Sequence, residues 1–272
     1  MPPTWNKVKS QAQLGLDMFR QGSPRQGMRF FYEEFLANSL LRGMARVPGS
    51  PRRVQCNVCG WSGARFLTHC VVDYVDRNAF CPRCLSYSRH RGFAWLCQQE
   101  PEFRQALESA ADRPGLVFAP EPGMVELLSS LRPKLFGIDI ERRNHLVDLT
   151  ADAVQLPVQS GSLGFAFCFH VLEHIEEDVR ALAEIGRCLA PGGHLVLCVP
   201  TSFELERSLC YGEANPRLNG HWYAYGLDFH ERIRAAGLQG RSYRLHECMP
   251  PEDRRRLAII PEEIWLIPAP AA

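Results

Sequence analysis

The sequence predicts an α/β fold built on a parallel sheet, with a small cysteine-rich module ahead of it. Two patterns carry that expectation. From Leu116 onward, short apolar runs alternate with helical patterns, and such alternation implies crossover units between parallel strands. Ahead of it stand Cys56-x-x-Cys59-Gly60 and Cys81-Pro82-Arg83-Cys84, two knuckles with 21 residues between them. A chain of 272 residues, 46% hydrophobic and of net charge +1, is long enough for one sizeable core and a smaller module. No apolar run is long enough to span a bilayer. The start, Met1 to Asn6, lacks the charged and apolar regions of a signal peptide. The expectation is a soluble, cytoplasmic protein with no membrane partner. Eleven cysteines, an odd number spread along the chain, argue against a disulfide framework.

The elements follow in order. Residues 1 to about 47 read as helical, with Phe31, Phe35, Leu36 and Leu40 at the spacing of an amphipathic, core-facing stripe. Val47-Pro48-Gly49-Ser50-Pro51 breaks the pattern as a linker. The segmentation expected is a helical segment over 1–50, a ribbon-like module over 51–87 and the α/β domain over 88–272. Helices are expected over about 88–100 and 102–111. Leu116 to Ala119 reads as a buried strand, Ala119-Pro120-Glu121-Pro122-Gly123 as a turn, and Met124 to Leu131 as a helix. A strand feeding a helix through a tight turn is a nucleotide site in this architecture. The next strand, Leu135 to Asp139, ends in an acid, which there can bind both ribose hydroxyls. A further strand, Phe165 to Phe169, runs into His170-Val171-Leu172-Glu173-His174. A helix follows over about 176–189, stopped by Pro191-Gly192-Gly193. His194 to Val199 is the next strand.

The knuckles point to a metal. Two residues between paired cysteines let both thiolates reach one ion, and Cys56, Cys59, Cys81 and Cys84 together complete a tetrahedral zinc site. Such a site is closed, so the ion's expected role is folding. Cys70 and Cys97 read as core residues. From Arg42 to Arg91 nine basic residues face two acids, a local charge of +7. That is a solvated surface around the module or a patch for phosphate and acidic partners.

The run from Leu116 onward resembles class I S-adenosylmethionine-dependent methyltransferases. The resemblance rests on His170 to His174 and on the Arg-x-Leu-x-Pro-Gly-Gly turn, Arg187 to Gly193, and it covers about Leu116 to Ile267. A narrower likeness is to bacterial methyltransferases with an upstream Cys-Pro-x-Cys-x-Ser-x-x-Arg-His-Arg segment, an Ala-Pro-Glu-Pro-Gly turn and a late Tyr-Gly-x-Asp-Phe segment. Here these are Cys81 to Arg91, Ala119 to Gly123 and Tyr225 to Phe229. The resemblance implies a Rossmann-like seven-stranded methyltransferase sheet with helices on both faces. It implies that Ala119, Glu121 and Gly123 line the methionine end of the cofactor and that Asp139 holds the ribose. Asp152 and Ala153 would meet the adenine edge, and His170 would sit near the reacting methyl. The common first turn differs: Phe118 stands where an acid is usual, and of three spaced glycines only Gly123 remains. Glu121 is the expected substitute.

Methyl transfer is displacement at an activated sulfonium, so the protein mainly supplies orientation. His170, Glu173 and His174 are the candidates for a base, should the acceptor carry a proton that must leave. The preferred reading is that Glu173 and His174 fix a helix start; the other is that the three, on one helical face, hold a divalent ion. The latter resembles ubiquinone-pathway and small-RNA methyltransferases with a similar Glu-x-x-Glu-His stretch. Arg89 and Arg91 are the expected grips for an anionic substrate, with a surface or salt-bridge role equally open. The Gly-, Asn- and aromatic-rich stretch Ser208 to Tyr225 would cover the cleft and choose the substrate, with His221 and Tyr225 at its centre. The acceptor expected is a small molecule or sugar-like metabolite, with no obligate protein partner. RNA bound by the basic module, or a catalytically inactive binding domain, are the alternatives.

Overall fold

The computed structural model describes residues 28, 31–44, 52–70, 75–109, 112–129 and 134–270. The expected linker at 47–51 and most of the amino-terminal helix lie outside them, as does the side chain of Cys70. Chain contacts divide the protein into two units, 1–55 with 61–83, and 56–60 with 84–272. The division cuts through the expected module, because the first knuckle packs with the larger unit: Asn57 Nδ2 donates to the Arg91 carbonyl at 2.9 Å.

In the smaller unit, two hairpins form the ribbon-like part, Val54–Gln55 with Ser62–Gly63 and Leu67–Cys70 with Val75–Phe80. Asn38 ties its helix to the second hairpin, donating to the Thr68 carbonyl at 3.0 Å and accepting from its amide at 2.9 Å. The expected apolar stripe, apart from Phe35, whose side chain lies outside the described ones, is not core. Phe31, Leu36 and Leu40 are exposed, while Glu33, Ala37 and Asn38 are buried. The segment Phe31–Ala37 is a π-helical turn leading into an α-helix, Asn38–Met44. The wider turn rotates side chains out of 3.6-residue phase, so a face drawn at helical spacing points the wrong way.

The larger unit is a three-layer domain around a seven-stranded sheet. Its strands are β1 (Pro114–Phe118), β2 (Lys134–Asp139), β3 (Leu149–Thr150), β4 (Leu163–Phe169), β5 (Leu189–Val199), β6 (Arg241–Arg244) and β7 (Glu263–Pro268). They lie in the order β6-β7-β5-β4-β1-β2-β3, with β6 and β7 antiparallel to their neighbours and the other pairs parallel. β4 is buried along its whole length, as a central strand covered on both faces must be. Alternation sends Leu116, Phe118, Ala166 and Cys168 to one face and Val117, Phe167 and Phe169 to the other. The first face is covered by α4 (Asp178–Cys188) and α5 (Phe229–Ala235). On α4, Ala181, Leu182, Ile185 and Cys188 form a stripe at helical spacing. The second face is covered by α1 (Ser88–Gln99), α2 (Pro101–Ser109) and α3 (Pro122–Ser129).

Two boundaries differ from expectation. α3 begins at Pro122, a residue whose fixed φ suits a first helical turn. Pro191-Gly192-Gly193 does not stop α4, which ends at Cys188; it lies inside β5, which the chain enters directly at Leu189, pairing with Leu163 before the register shifts to Phe165 with His194. Gly192 takes φ +78, and a Cβ on Gly193 would lie 2.6 Å from the Leu163 carbonyl. The glycines therefore serve a bulge inside the strand. Among the described residues no helix is long and apolar enough to cross a membrane.

Candidate functional site

From β1 the chain moves outward to β2 and β3; β4, on its other side, leads on to β5. The gap at the carboxyl ends of β1 and β4 is therefore the topological switch point, where ligands bind in open α/β sheets. Both strands end on a non-glycine residue in left-handed conformation, Ala119 (φ 44) and His170 (φ 55). Such residues cost about 1–2 kcal/mol and persist where surrounding structure fixes them, often at functional ends. Here the Ala119 amide donates to Ile138 O at 2.7 Å and the His170 amide to Cys198 O at 2.8 Å.

On the β2 side, Asp139 caps its strand with spare acceptor capacity. Its Oδ1 receives the Glu141 amide at 3.4 Å, and Arg143 Nε stands 3.9 Å from Oδ2. The Ala151 amide donates to the Asp139 carbonyl at 3.0 Å, which brings the next turn alongside. In that turn Asp152 Oδ1 accepts from the Val154 amide at 3.1 Å, and Ala153 is buried beneath it. Two carboxylates on adjacent turns, each holding acceptor positions open, fit a group that presents vicinal hydroxyls and an amine edge.

The turn after β1 is built differently. Arg89, at the start of α1, donates through Nη2 to both oxygens of Glu121 at 2.8 and 2.6 Å. His90 Nε2 lies 3.0 Å from Oε2 of the same carboxylate. Burial would raise the Glu121 carboxyl, but Arg89 and His90 prevail and hold it well below the usual range. Burial also opposes the charge on Arg89, and Glu121 with Glu262 more than restores it. Gly123 serves a close approach: a Cβ there would fall 2.3 Å from Ser86 Cα. Its absent side chain makes room for the backbone that follows the second knuckle rather than for a ligand.

Ser86 links that turn to the cysteines. Its hydroxyl lies 3.1 Å from Cys56 Sγ and 3.3 Å from Cys84 Sγ, and the two sulfurs are 3.6 Å apart. The sulfurs of Cys56, Cys59, Cys81 and Cys84 all lie within 4.8 Å of one another, as ligands of one ion would. Cys97 is half-buried on α1, and burial pushes its thiol up to about 12.

On the β4 side lies a cluster the sequence reading only partly anticipated. His170 Nε2 is 3.3 Å from Glu262 Oε2, and Cys198 Sγ lies 3.2 Å from that same oxygen. Burial would raise the Glu262 carboxyl; its bond to His170, with Arg89 nearby, brings it below the usual range. Cys198 is pushed well up, by burial first and then by Glu262. Glu173 does not fix a helix start. It sits in a short 3₁₀ turn, Leu172–His174, four residues ahead of α4, and is 1% exposed. Helical starts are instead served by Asp178, whose carboxylate accepts the Val179 amide at 2.7 Å, Tyr225 Oη at 2.8 Å and Arg232 Nε and Nη2 at 2.5 Å each.

Two expected substrate residues fall to the fold. Arg91 is fully buried and donates to the carbonyls of Leu257, Ser86 and Ala258 at 2.6, 2.5 and 3.2 Å. It closes the carboxyl end of α6 (Pro251–Leu257), whose last carbonyls lack helical partners. Tyr225 is likewise fully buried, bound to Asp178. The stretch from Ser208 forms a hairpin, Leu209–Asn215 with His221–Ala224, and His221 meets His174 edge to face with ring centres 4.7 Å apart. Glu262, Cys198 and Asp178 were not singled out from sequence. The acid pair Glu262-Glu263 ahead of the apolar run Ile264 to Ile267 is a local signal for Glu262; none marks Cys198 or Asp178.

Residues 123–197 match a family described as "Methyltransferase domain". A 57-residue stretch is 44% identical to a malonyl-[acyl-carrier protein] O-methyltransferase of Alcanivorax borkumensis, covering 21% of this chain and 19% of that protein. The chain thus spans about a fifth of the length of the curated relative it matches. Among solved structures, it is similar to the [4+2]-cyclase SpnF (14% identity, 91% of this chain and 97% of that one, TM-score 0.47). It is also similar to a 1,6-didemethyltoxoflavin-N1-methyltransferase of Burkholderia thailandensis holding S-adenosylhomocysteine (14% identity, 68% and 88%, TM-score 0.43).

Proposed function

We propose that this chain, which carries a class I S-adenosylmethionine-dependent methyltransferase domain, moves a methyl group to a small-molecule or sugar-like acceptor. The observation that supports it best is Asp139, a strand-end carboxylate beside the switch point with both oxygens still able to accept. Asp139 would hold the two ribose hydroxyls, and Asp152 with the Ala153 amide the adenine edge. Ala119 in its left-handed turn would border the methionine end, and Glu121, kept ionised by Arg89, would face the methionine ammonium. When bound, the cofactor supplies a methyl on positively charged sulfur. The chain's residues supply orientation and a site closed to water. His170, tethered by Glu262, would take a proton from an acceptor that must lose one. The hairpin carrying His221 would border the acceptor side. Arg89, committed to Glu121, would act through that carboxylate rather than grip the acceptor itself.

The four cysteines would hold one structural zinc ion. With Ser86 between the thiolates and Gly123, the ion would brace the turn after β1. Elemental analysis of purified protein is expected to give one equivalent tied to these thiols, and Cys84→Ser is expected to lose it with a large fall in melting temperature. Full zinc content with unchanged melting in that variant would remove the assignment. For the reaction, calorimetry with S-adenosylhomocysteine is expected to show one binding site, and a metabolite screen with isotopically labelled donor is expected to yield one labelled product. Absence of binding by the wild type would overturn the reading.

A further inference from the structure

The proposed methyl transfer leaves one buried group without a task. Glu173 is 1% exposed and holds its Oε1 3.8 Å from His170 Nδ1 and 4.0 Å from His174 Nε2. Its other oxygen, Oε2, is buried and has no hydrogen-bond partner among the described residues. An orphaned carboxylate oxygen in the interior is costly unless something cationic meets it. From the hairpin, His221 closes on the same place, its ring against that of His174. One ligand atom each from Glu173, His174 and His221 lie within 4.8 Å of one another.

We propose that Glu173, His174 and His221 form a binding site for a divalent transition-metal ion, distinct from the four-cysteine cluster. Two imidazoles and one carboxylate select borderline ions such as Zn²⁺ or Co²⁺ over Mg²⁺, which prefers oxygen. Three protein ligands leave a fourth position open, the pattern of a working site rather than a closed structural one. Half-exposed His174 supplies the side from which a water or an oxygen-bearing ligand would enter. The site is not part of the cofactor reading, and its readout does not require methyl transfer.

The test is calorimetry and absorption spectroscopy on protein whose cysteine cluster is already zinc-loaded, titrated with Co²⁺. One further equivalent is expected, with weak visible bands and no sulfur charge-transfer band. His221→Ala, on a surface hairpin, and Glu173→Gln, which keeps the side chain's shape, are each expected to weaken that binding at least tenfold. Both are expected to keep the wild-type far-ultraviolet spectrum. No further uptake by the wild type overturns the proposal. So does uptake that both variants retain, and so does uptake marked by sulfur bands, which reports exchange at the cysteines.

Discussion

Asp139 and Glu262 are both carboxylates at the same edge of one sheet, and they live under opposite conditions. Asp139 ends β2 with one long amide contact and an arginine 3.9 Å away. Glu262 stands just ahead of β7, 5% exposed, between His170 and Cys198, with Arg89 nearby. The first is chemically unfinished, the second complete. An acceptor left open beside a switch point suits the ligand role proposed for Asp139; a carboxylate fully engaged by its own chain holds other side chains in place. Glu121, in the turn after β1, stands between the two kinds: Arg89 and His90 grip it, yet its side chain is still partly exposed, as the ammonium-facing role proposed for it requires.

That contrast has consequences of different size. Arg89→Leu leaves half-buried Glu121 without its main partner; a fully buried pair broken from one side costs about 3–5 kcal/mol and an exposed pair under about 1, so about 1–3 kcal/mol is expected here. Urea unfolding is expected to show a loss of that order. A loss under 1 kcal/mol would mean that Glu121 turns to solvent and that the pair is not part of the fold. Asp139→Ala is the converse. It is expected to change stability by less than about 0.5 kcal/mol while weakening S-adenosylhomocysteine binding by about 1.5–3 kcal/mol, the worth of hydrogen bonds to a charged acceptor. If it destabilises the fold as much as Arg89→Leu, the two regions do not differ in kind.

The same contrast marks how far the sequence could be read. Asp139 was legible as a strand-end acid because its signal is local: an apolar strand, an acid at its end, and a preceding strand–turn–helix within 25 residues. The knuckles were legible for the same reason, and the sheet followed from the alternation that starts at Leu116. Glu262 was not, because its partner His170 lies 92 residues earlier and no period relates them. Arg89 and Arg91 look alike in sequence, two residues apart at the start of one helix. What separates them is the carboxyl end of α6, 166 residues further on, which takes Arg91. Tyr225 was assigned to a substrate because it closes an aromatic-rich stretch, yet Asp178, 47 residues before it, draws it into the core. The amino-terminal stripe failed for a local reason, a π-helical turn that helical spacing does not encode.

The smallest expected effect belongs to His90 and tests whether the turn after β1 is complete at neutral pH. His90 is fully buried, its Nδ1 accepts the Tyr87 amide at 3.2 Å, and its Nε2 faces Glu121. Burial lowers its pKa, and the neighbouring Glu121 does not restore it. In the unfolded chain the same imidazole titrates near about 6.5. Below that value the unfolded chain takes up a proton that the folded one refuses, so stability falls as the pH drops from about 6.5 toward the lowered folded value. Glu121 acts in a separate window. Its folded pKa is depressed, so its contribution is present above the unfolded carboxylate value of about 4.3 and is lost only as the pH falls further. His90→Gln keeps an acceptor for Tyr87 and a donor toward Glu121 but cannot charge. Unfolding free energies at pH 7, 6 and 5 are expected to fall less steeply in the variant than in the wild type, by at most about 1.4 kcal/mol per pH unit. The loss below about pH 4.3 is expected to persist in both. His194 and His221 are also held low by burial, so the difference between the two curves, not the slope of either, reads His90. Identical curves would mean that His90 carries a proton in the folded state, and the pair it shares with Glu121 would then be an ion pair of the same kind as Arg89's.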